Sequence, residues 1–163
     1  MRIRRKGGAM NLLVAIDFSE ITGSVISSAS KLAAALDAKV FLLHVIPPAT
    51  PVLDTDTGIE SFFPSVQHDT GAPQESPAES SAHQELQALA EPLRKSGLAI
   101  SAHLAHNDEV QAIVDAAGRF VADLIVLGSH GHGALYHLLV GSVSEGVVRK
   151  SPCPVVIVPA SVK

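Results

Sequence analysis

Cysteine and tryptophan, which mark several classes of protein, are nearly missing from this sequence. Its 163 residues include one cysteine, Cys153, and no tryptophan. A single cysteine cannot form an internal disulfide, so a disulfide-stabilised secreted domain is excluded and a reducing cytoplasm is the expected location. A chain of this length can bury enough apolar surface to fold as one domain, so no structural metal is needed.

Long apolar runs and an excess of basic residues are missing as well. No run approaches the roughly 18 apolar residues that suggest a membrane-spanning helix, so no membrane association is expected. Lysine and arginine total 12 against 16 aspartates and glutamates, a formal net charge of −4. That balance argues against broad nucleic-acid binding, which usually needs a basic face. Residues 1–9, rich in arginine, are expected to be a disordered basic leader before a domain at 10–163.

Short apolar runs are the main structural signal. Residues 11–16, 40–46, 124–127 and 155–158 are rich in valine, isoleucine and leucine. They do not alternate with polar residues, which is typical of strands buried on both faces of a parallel sheet. Residues 98–105 do alternate, which predicts a half-covered strand at the edge of the sheet.

Helical patterns separate these runs, at residues 20–36, 80–95, 109–121 and 142–150. Strands that alternate with helices imply right-handed crossovers and an open parallel sheet with helices on both faces. The edge position of the third strand favours the order 3-2-1-4-5. The sequence therefore predicts a Rossmann-like α/β domain with five strands.

Residues 47–79 interrupt this alternation. The stretch contains six prolines and many serine, threonine and aspartate residues. Proline removes backbone donors and polar residues offer little to bury, so a mobile insertion is expected between the second strand and the second helix. The alternative is a short helix or lid built on Ile59, Phe62 and Phe63.

A glycine-rich segment follows the fourth strand directly, at residues 128–145. Glycines at 128, 131 and 133 allow a sharp turn and let a ligand approach the backbone closely. Ser142 and Glu145 have the spacing of a capping box, so the last helix is predicted to begin there, and its N-terminus suits a phosphate. The alternative is that these residues are only turn and capping devices, because no P-loop or dinucleotide fingerprint is present.

Asp17 ends the first strand and is the second feature that points to a ligand. In open α/β sheets, ligands bind outside the carboxyl ends of the strands, where the strand order reverses. With the predicted order, Asp17 and Gly128 face each other across that crevice. A carboxylate there can hold ribose hydroxyls or Mg²⁺ on phosphates. The alternative is that Asp17 serves the following helix, as a charge near its N-terminus or as its cap.

With these residues the chain resembles the universal stress protein family. The family's nucleotide motif is glycine, two residues, glycine, nine residues, glycine, then serine or threonine, which Gly128, Gly131, Gly141 and Ser142 match. The family's first strand ends in an aspartate followed two positions later by a serine, here Asp17 and Ser19. Residues 43–45, Leu-His-Val, and the ending at 151–158 are also typical of the family.

The resemblance implies an adenine nucleotide alpha hydrolase-like fold and a stress-response protein that binds ATP or AMP, with Mg²⁺ possible at Asp17 beside ATP. It also implies a homodimer through the strand at 155–158. The residues expected around the nucleotide lie at the ends of strands one, two and four and at the start of the last helix: Asp17, Phe18, Ser19, Val45, Gly128, Ser129, His130, Gly131, His132, Gly141, Ser142, Val143 and Ser144.

Three classes of function remain open on the sequence. The first is a regulatory or signalling module that binds a nucleotide. The second is a slow ATP hydrolase, although the segment at 128–145 contains no lysine or arginine. No base is evident beyond His130, His132 and Asp17. The third is a partner-binding protein that no longer uses a nucleotide. Asp108 and Glu109 keep it open, because they replace a glycine-x-proline stretch common in the family.

Overall fold

The structure is a computed structural model that describes residues 9–47, 76–129 and 141–160. Strands and helices alternate along the described chain, as the apolar runs predict. The strands are β1 (Met10–Ile16), β2 (Ala38–Ile46), β3 (Ile100–His106), β4 (Leu124–Gly128) and β5 (Val155–Val158). The helices are α1 (Thr22–Leu36), α2 (Pro77–Lys95), α3 (Glu109–Arg119) and α4 (Ser142–Lys150). None of these helices is both long and apolar enough to cross a membrane.

The strands form one sheet in the order β3-β2-β1-β4-β5. All four pairings are parallel, and Leu12 of β1 lies beside Val40 of β2 on one side and Leu124 of β4 on the other. The predicted order is therefore confirmed, with β3 at one edge. The chain moves outward from β1 to β3 and then returns to the other side of β1. This places the reversal of strand order between β1 and β4.

Alternate residues of β1 divide the core into two layers. Leu12 and Val14 pack with residues of α1 and α2, whereas Leu13 and Ala15 pack with residues of α3 and α4. Because each face is covered by two helices, the central strands are apolar on both sides. The predicted arrangement of helices on both faces is confirmed.

The helix α2 begins inside the stretch that the sequence assigns to an insertion. Pro77 is its first residue, and Ser76 forms a capping box in which its hydroxyl accepts from the Glu79 N–H while the Glu79 carboxylate accepts from the Ser76 N–H. Composition favoured a loop here, but these local bonds satisfy the first backbone groups of a helix. The predicted start at residue 80 is three residues late. The remainder of the insertion, at 48–75, and residues 1–8 of the leader lie outside the described residues.

The third strand is shifted relative to the predicted range of 98–105. The N–H of Leu98 donates to the carbonyl of Leu93 in the last turn of α2, so residue 98 belongs to the connection between α2 and β3. The strand runs instead to His106, and all its residues except the last are half-buried. The alternation in the sequence identifies the edge position correctly but not the limits of the strand.

Candidate functional site

Three strands end side by side at the carboxyl edge of the sheet. Val14 of β1 pairs with Val126 of β4, and Ile16 pairs with His44 of β2. Residues that directly follow in the chain, such as Asp17, therefore leave the sheet next to the ends of β2 and β4. The ends of β1, β2 and β4 are therefore neighbours, with the reversal of strand order between β1 and β4.

Asp17 folds the turn that follows β1. Its Oδ1 atom accepts hydrogen bonds from the Ser19 N–H at 3.1 Å and from the Ser19 hydroxyl at 2.6 Å. These two bonds orient the carboxylate and give the turn a fixed shape. The N-cap of α1 is Ile21, which makes no side-chain capping bond, so Asp17 is not the cap of that helix.

Phe18 and His44 form an aromatic pair beside this turn. Their ring centroids are 4.3 Å apart, and Phe18 has a positive φ of 59°. His44 Nδ1 lies 3.0 Å from the carbonyl oxygen of Ile16. Since a carbonyl only accepts, Nδ1 carries the proton of this bond. His44 is thus a histidine of β2 that is hydrogen-bonded to the backbone at the end of β1.

Hydrogen bonds join the end of β4 to the start of α4. The Gly141 N–H donates to the Ser129 carbonyl at 2.6 Å, and the Ser144 hydroxyl donates to the Gly128 carbonyl at 2.6 Å. Ser129 and Ser144 are each only 3% exposed. The first turn of α4 is thus held directly against the strand end that precedes residues 130–140 in the chain.

Ser129 also connects this region to the chain that follows β5. Its N–H donates to the Val158 carbonyl at 2.8 Å, and its hydroxyl accepts from the Ala160 N–H at 3.1 Å. Burial and these bonds make Ser129 part of the framework beneath the candidate site.

The helix α4 begins one residue earlier than a capping box at Ser142 and Glu145 would require. Gly141 is the N-cap, with extended φ and ψ of −75° and 163°, and Ser142 is already helical. The carboxylate of Glu145 accepts from Arg149 at 2.7 Å instead of reaching back to the cap. The predicted capping box is therefore wrong, although the predicted helix and its first residue are correct.

Other predicted site residues divide into three groups. Ser142 is exposed and Val143 is half-buried in the first turn of α4. The Val45 side chain is 7% exposed and packs into the core beneath α3, so only its backbone remains to meet a ligand. His130, Gly131 and His132 lie outside the described residues.

The electrostatics of the described site favour backbone donors over cationic side chains. The N–H groups of residues 142–144 belong to the first turn of α4, where no intrahelical acceptor exists. Together with the helix dipole they give the start of α4 a partial positive charge that suits an anion. Asp17 supplies a carboxylate directly after the end of β1. In the described parts of the chain, no cluster of three or more histidine, cysteine, aspartate or glutamate residues could hold a metal ion.

Asp108 and Glu109 have a structural role that the sequence reasoning missed. Asp108 is the N-cap of α3, and its Oδ1 accepts from the Gln111 N–H at 3.0 Å. The spacing of Asp108 before an apolar helical pattern was the available signal. A second missed contact joins His106 Nε2 and Glu79 Oε1, at 3.2 Å, and ties the end of β3 to the start of α2.

Comparisons with known proteins agree with this architecture. Residues 9–159 match the sequence model of the Universal stress protein family. Universal stress protein YxiE of Bacillus subtilis is 28% identical over 151 residues, which cover 90% of this chain and 97% of that protein.

Solved structures share the fold. A universal stress protein in complex with cAMP superimposes with a TM-score of 0.67 at 23% identity, covering 93% of this chain and 98% of that one. The universal stress protein of Archaeoglobus fulgidus in complex with dAMP gives a TM-score of 0.62 at 22% identity, covering 91% and 97%. With its sheet order and the family match over almost its whole length, the chain belongs to the Universal stress protein family.

Proposed function

We propose that this chain binds an adenine nucleotide, ATP or AMP, at the carboxyl edge of its sheet and acts as a regulatory or signalling module in a stress response. One observation carries the proposal: bonds from Gly141 and Ser144 hold the start of α4 against the end of β4. The helix N-terminus is thereby fixed beside the crevice where the strand order reverses, which is where open α/β sheets bind ligands.

The two complexes support the same ligand class. The related proteins hold cAMP and dAMP, and both ligands contain adenine and a phosphate. A backbone cradle without a lysine or arginine suits such a ligand, because several N–H groups can share one phosphate.

The nucleotide is proposed to span the crevice from β2 to α4. Adenine would lie by the backbone of Val45, ribose by Asp17, and the phosphates by Gly128 and residues 141–144. Phe18 and Ser19 would shape the ribose side through their contacts with His44 and Asp17. His130, Gly131 and His132, together with Ser129, complete the proposed set.

Mg²⁺ is proposed only as a companion of ATP. Magnesium usually binds one or two carboxylates together with substrate phosphates, and it keeps several waters. Asp17 fits that pattern, since it is a carboxylate at the strand end and its Oδ1 atom is oriented by Ser19. Phosphate oxygens of ATP and water molecules would be the other ligands of Mg²⁺, and the ion would offset the negative charge of the phosphates.

Two further proposals concern assembly and location. The strand β5 pairs with β4 and forms one edge of the sheet, so its outer side can pair with β5 of a second copy to make a homodimer. The single cysteine supports a cytoplasmic location. Sedimentation of the purified chain tests the dimer. The carbonyls of Pro154 and Val158 bond β4, so the N–H of Ile157 faces the outer side of β5. An Ile157→Pro variant is expected to be monomeric, because proline removes this outward donor.

Titration calorimetry of ligand-stripped protein tests the nucleotide proposal. We expect saturable micromolar binding of ATP with Mg²⁺ and of AMP, and no binding of GMP at the same concentrations. Absence of adenine-nucleotide binding at millimolar concentration would contradict the proposal and favour a partner protein that does not use a nucleotide. A parallel assay of phosphate release, compared with protein-free solution, is expected to show no turnover above background.

A further inference from the structure

The hydroxyl of Ser144 is buried and forms a hydrogen bond within the protein. Ser144 is 3% exposed, and its Oγ donates to the Gly128 carbonyl at 2.6 Å. A serine hydroxyl has a single proton to donate, and here it is used within the protein. If the proposed function holds, Ser144 therefore cannot donate its hydroxyl to a phosphate while this bond exists, unlike the exposed Ser142 in the same turn.

The bond from Ser144 acts together with the bond from Gly141. The two donors are three residues apart in the chain, one at the N-cap of α4 and one in its first turn. Their acceptors, the carbonyls of Gly128 and Ser129, are consecutive in the chain. One attachment would fix the position of the helix end but let it pivot. Two attachments fix its rotation as well, and with it the direction of the N–H groups of residues 142–144.

The body of α4 is held by other contacts. Val147 is fully buried, and Gly146 packs so closely on α3 that an added Cβ would lie 2.7 Å from a methyl carbon of Val110. Loss of the Ser144 hydroxyl would therefore leave the helix in place and loosen only its first turn. The bond is therefore expected to affect the orientation of the backbone N–H groups in the first turn more than the stability of the fold.

We propose that Ser144 is a positioning residue for phosphate, which aims the amides of residues 142–144 through its bond to Gly128. This inference rests on the proposed function and deepens it. It makes a specific distinction: the hydroxyl supports binding of the phosphate and has no effect on binding of adenine and ribose. A residue with a merely structural role would change the binding of AMP and adenosine equally.

Calorimetry with AMP and adenosine tests this distinction on the wild-type chain and on Ser144→Ala. We expect the ratio of AMP to adenosine affinity to fall about tenfold in the variant, the loss of roughly one well-placed charge-assisted hydrogen bond. Adenosine affinity is expected to stay within about twofold. Ser144→Cys keeps a side chain of the same connectivity, slightly larger, with only a weak donor. It is expected to lower the ratio too, and it serves if the alanine variant does not fold.

Ser30→Ala is the matched control. The Ser30 hydroxyl donates to the Ile26 carbonyl at 2.7 Å in α1, so its removal deletes a comparable bond in a different helix. The control is expected to keep the wild-type affinity ratio. An unchanged ratio in folded Ser144→Ala or Ser144→Cys overturns the inference alone. No AMP binding by the wild-type chain overturns the proposed function, and this inference falls with it.

Discussion

The ring of Phe18 lies 4.3 Å from the ring of His44, and Phe18 reaches this position with a left-handed backbone at φ 59°. A left-handed conformation costs a non-glycine residue about 1–2 kcal/mol. The aromatic pair contributes about 0.5–1.5 kcal/mol beyond its buried area, so the ring contact offsets the backbone cost. The pair lies at the turn that follows β1, where Phe18 directly follows Asp17.

Two substitutions of Phe18 separate these effects. Both Phe18→Ala and Phe18→Gly lose the ring, but only glycine relieves the backbone, so the glycine variant is expected to be about 1 kcal/mol more stable than the alanine variant in urea unfolding. Lys31, which is exposed within α1, provides the control. There the alanine variant should be about 1 kcal/mol more stable than the glycine variant, because alanine has the higher helix propensity. Equal stability of the two Phe18 variants would show that the left-handed backbone is not a cost.

A valine at position 141 tests the phosphate end of the site. Gly141 has extended φ and ψ of −75° and 163°, which valine can also adopt, so Gly141→Val should fold with a loss of about 1 kcal/mol from the weaker N-cap. Its branched side chain would block the approach of a phosphate to the backbone. We expect calorimetry to show no ATP binding.

The control for this variant is Gly118→Ala, because Gly118 lies in α3 with nothing within 4 Å of an added Cβ. It should keep the wild-type ATP affinity. Wild-type affinity in a folded Gly141→Val protein would place the phosphates elsewhere.

Gly146 is required by the close contact between α3 and α4. An added Cβ would lie 2.7 Å from Cγ2 and 3.1 Å from Cγ1 of Val110, a stiff side chain that cannot easily move aside. Gly146→Ala is expected to lower the free energy of unfolding by about 1–2 kcal/mol, despite the higher helix propensity of alanine.

Two comparisons check this explanation by urea unfolding. Gly118→Ala meets no neighbour and should stabilise α3 by about 0.5–1 kcal/mol. Adding Val110→Ala to Gly146→Ala removes the clashing methyl groups, so the two changes should be less than additive. Additive losses would mean that the clash is absent.

His103 lies in β3, at one edge of the sheet, and it makes the stability of the protein depend on pH. Burial, and then the positive charges of Arg119 and Lys39, lower the pKa of His103 from its usual value of 6.5. Its ring lies 4.6 Å from that of Phe120 and 5.9 Å from that of Phe41. Because the unfolded chain binds the proton more readily, this stability is present above about pH 6.5 and is lost as the pH falls toward the lower folded-state pKa.

Urea unfolding between about pH 7 and pH 5 should therefore show a shallower fall in stability for His103→Gln than for the wild-type chain. An NMR titration isolates the charge effect. Arg119→Met should raise the pKa of His103 toward its usual value, whereas Lys31→Met, on the opposite face of the sheet, should not. An unchanged pKa in Arg119→Met would contradict a role for that guanidinium.

Element types and strand order could be predicted because they depend on patterns within short windows. The uninterrupted apolar runs of β1 and β4 predicted that both strands are buried on both faces. The alternation in β3 predicted its position at the edge of the sheet. Helix starts were harder. Ser76 and Glu79 form a capping box that composition obscured, while Ser142 and Glu145 have the same spacing and form none. The difference is the backbone, since Ser142 is already helical and Glu145 pairs with Arg149.

The sequence by itself determined the α/β fold, the strand order and the family, because periodicity and glycine spacing are local properties that survive without knowledge of contacts. The tertiary structure alone decided which groups meet. Ser144 is hydrogen-bonded to Gly128, 16 residues away in the sequence, and Ser129 to Ala160, 31 residues away. Gly146 of α4 packs against Val110 of α3. Such partners depend on register and on the approach of packed elements, which no short window of sequence contains.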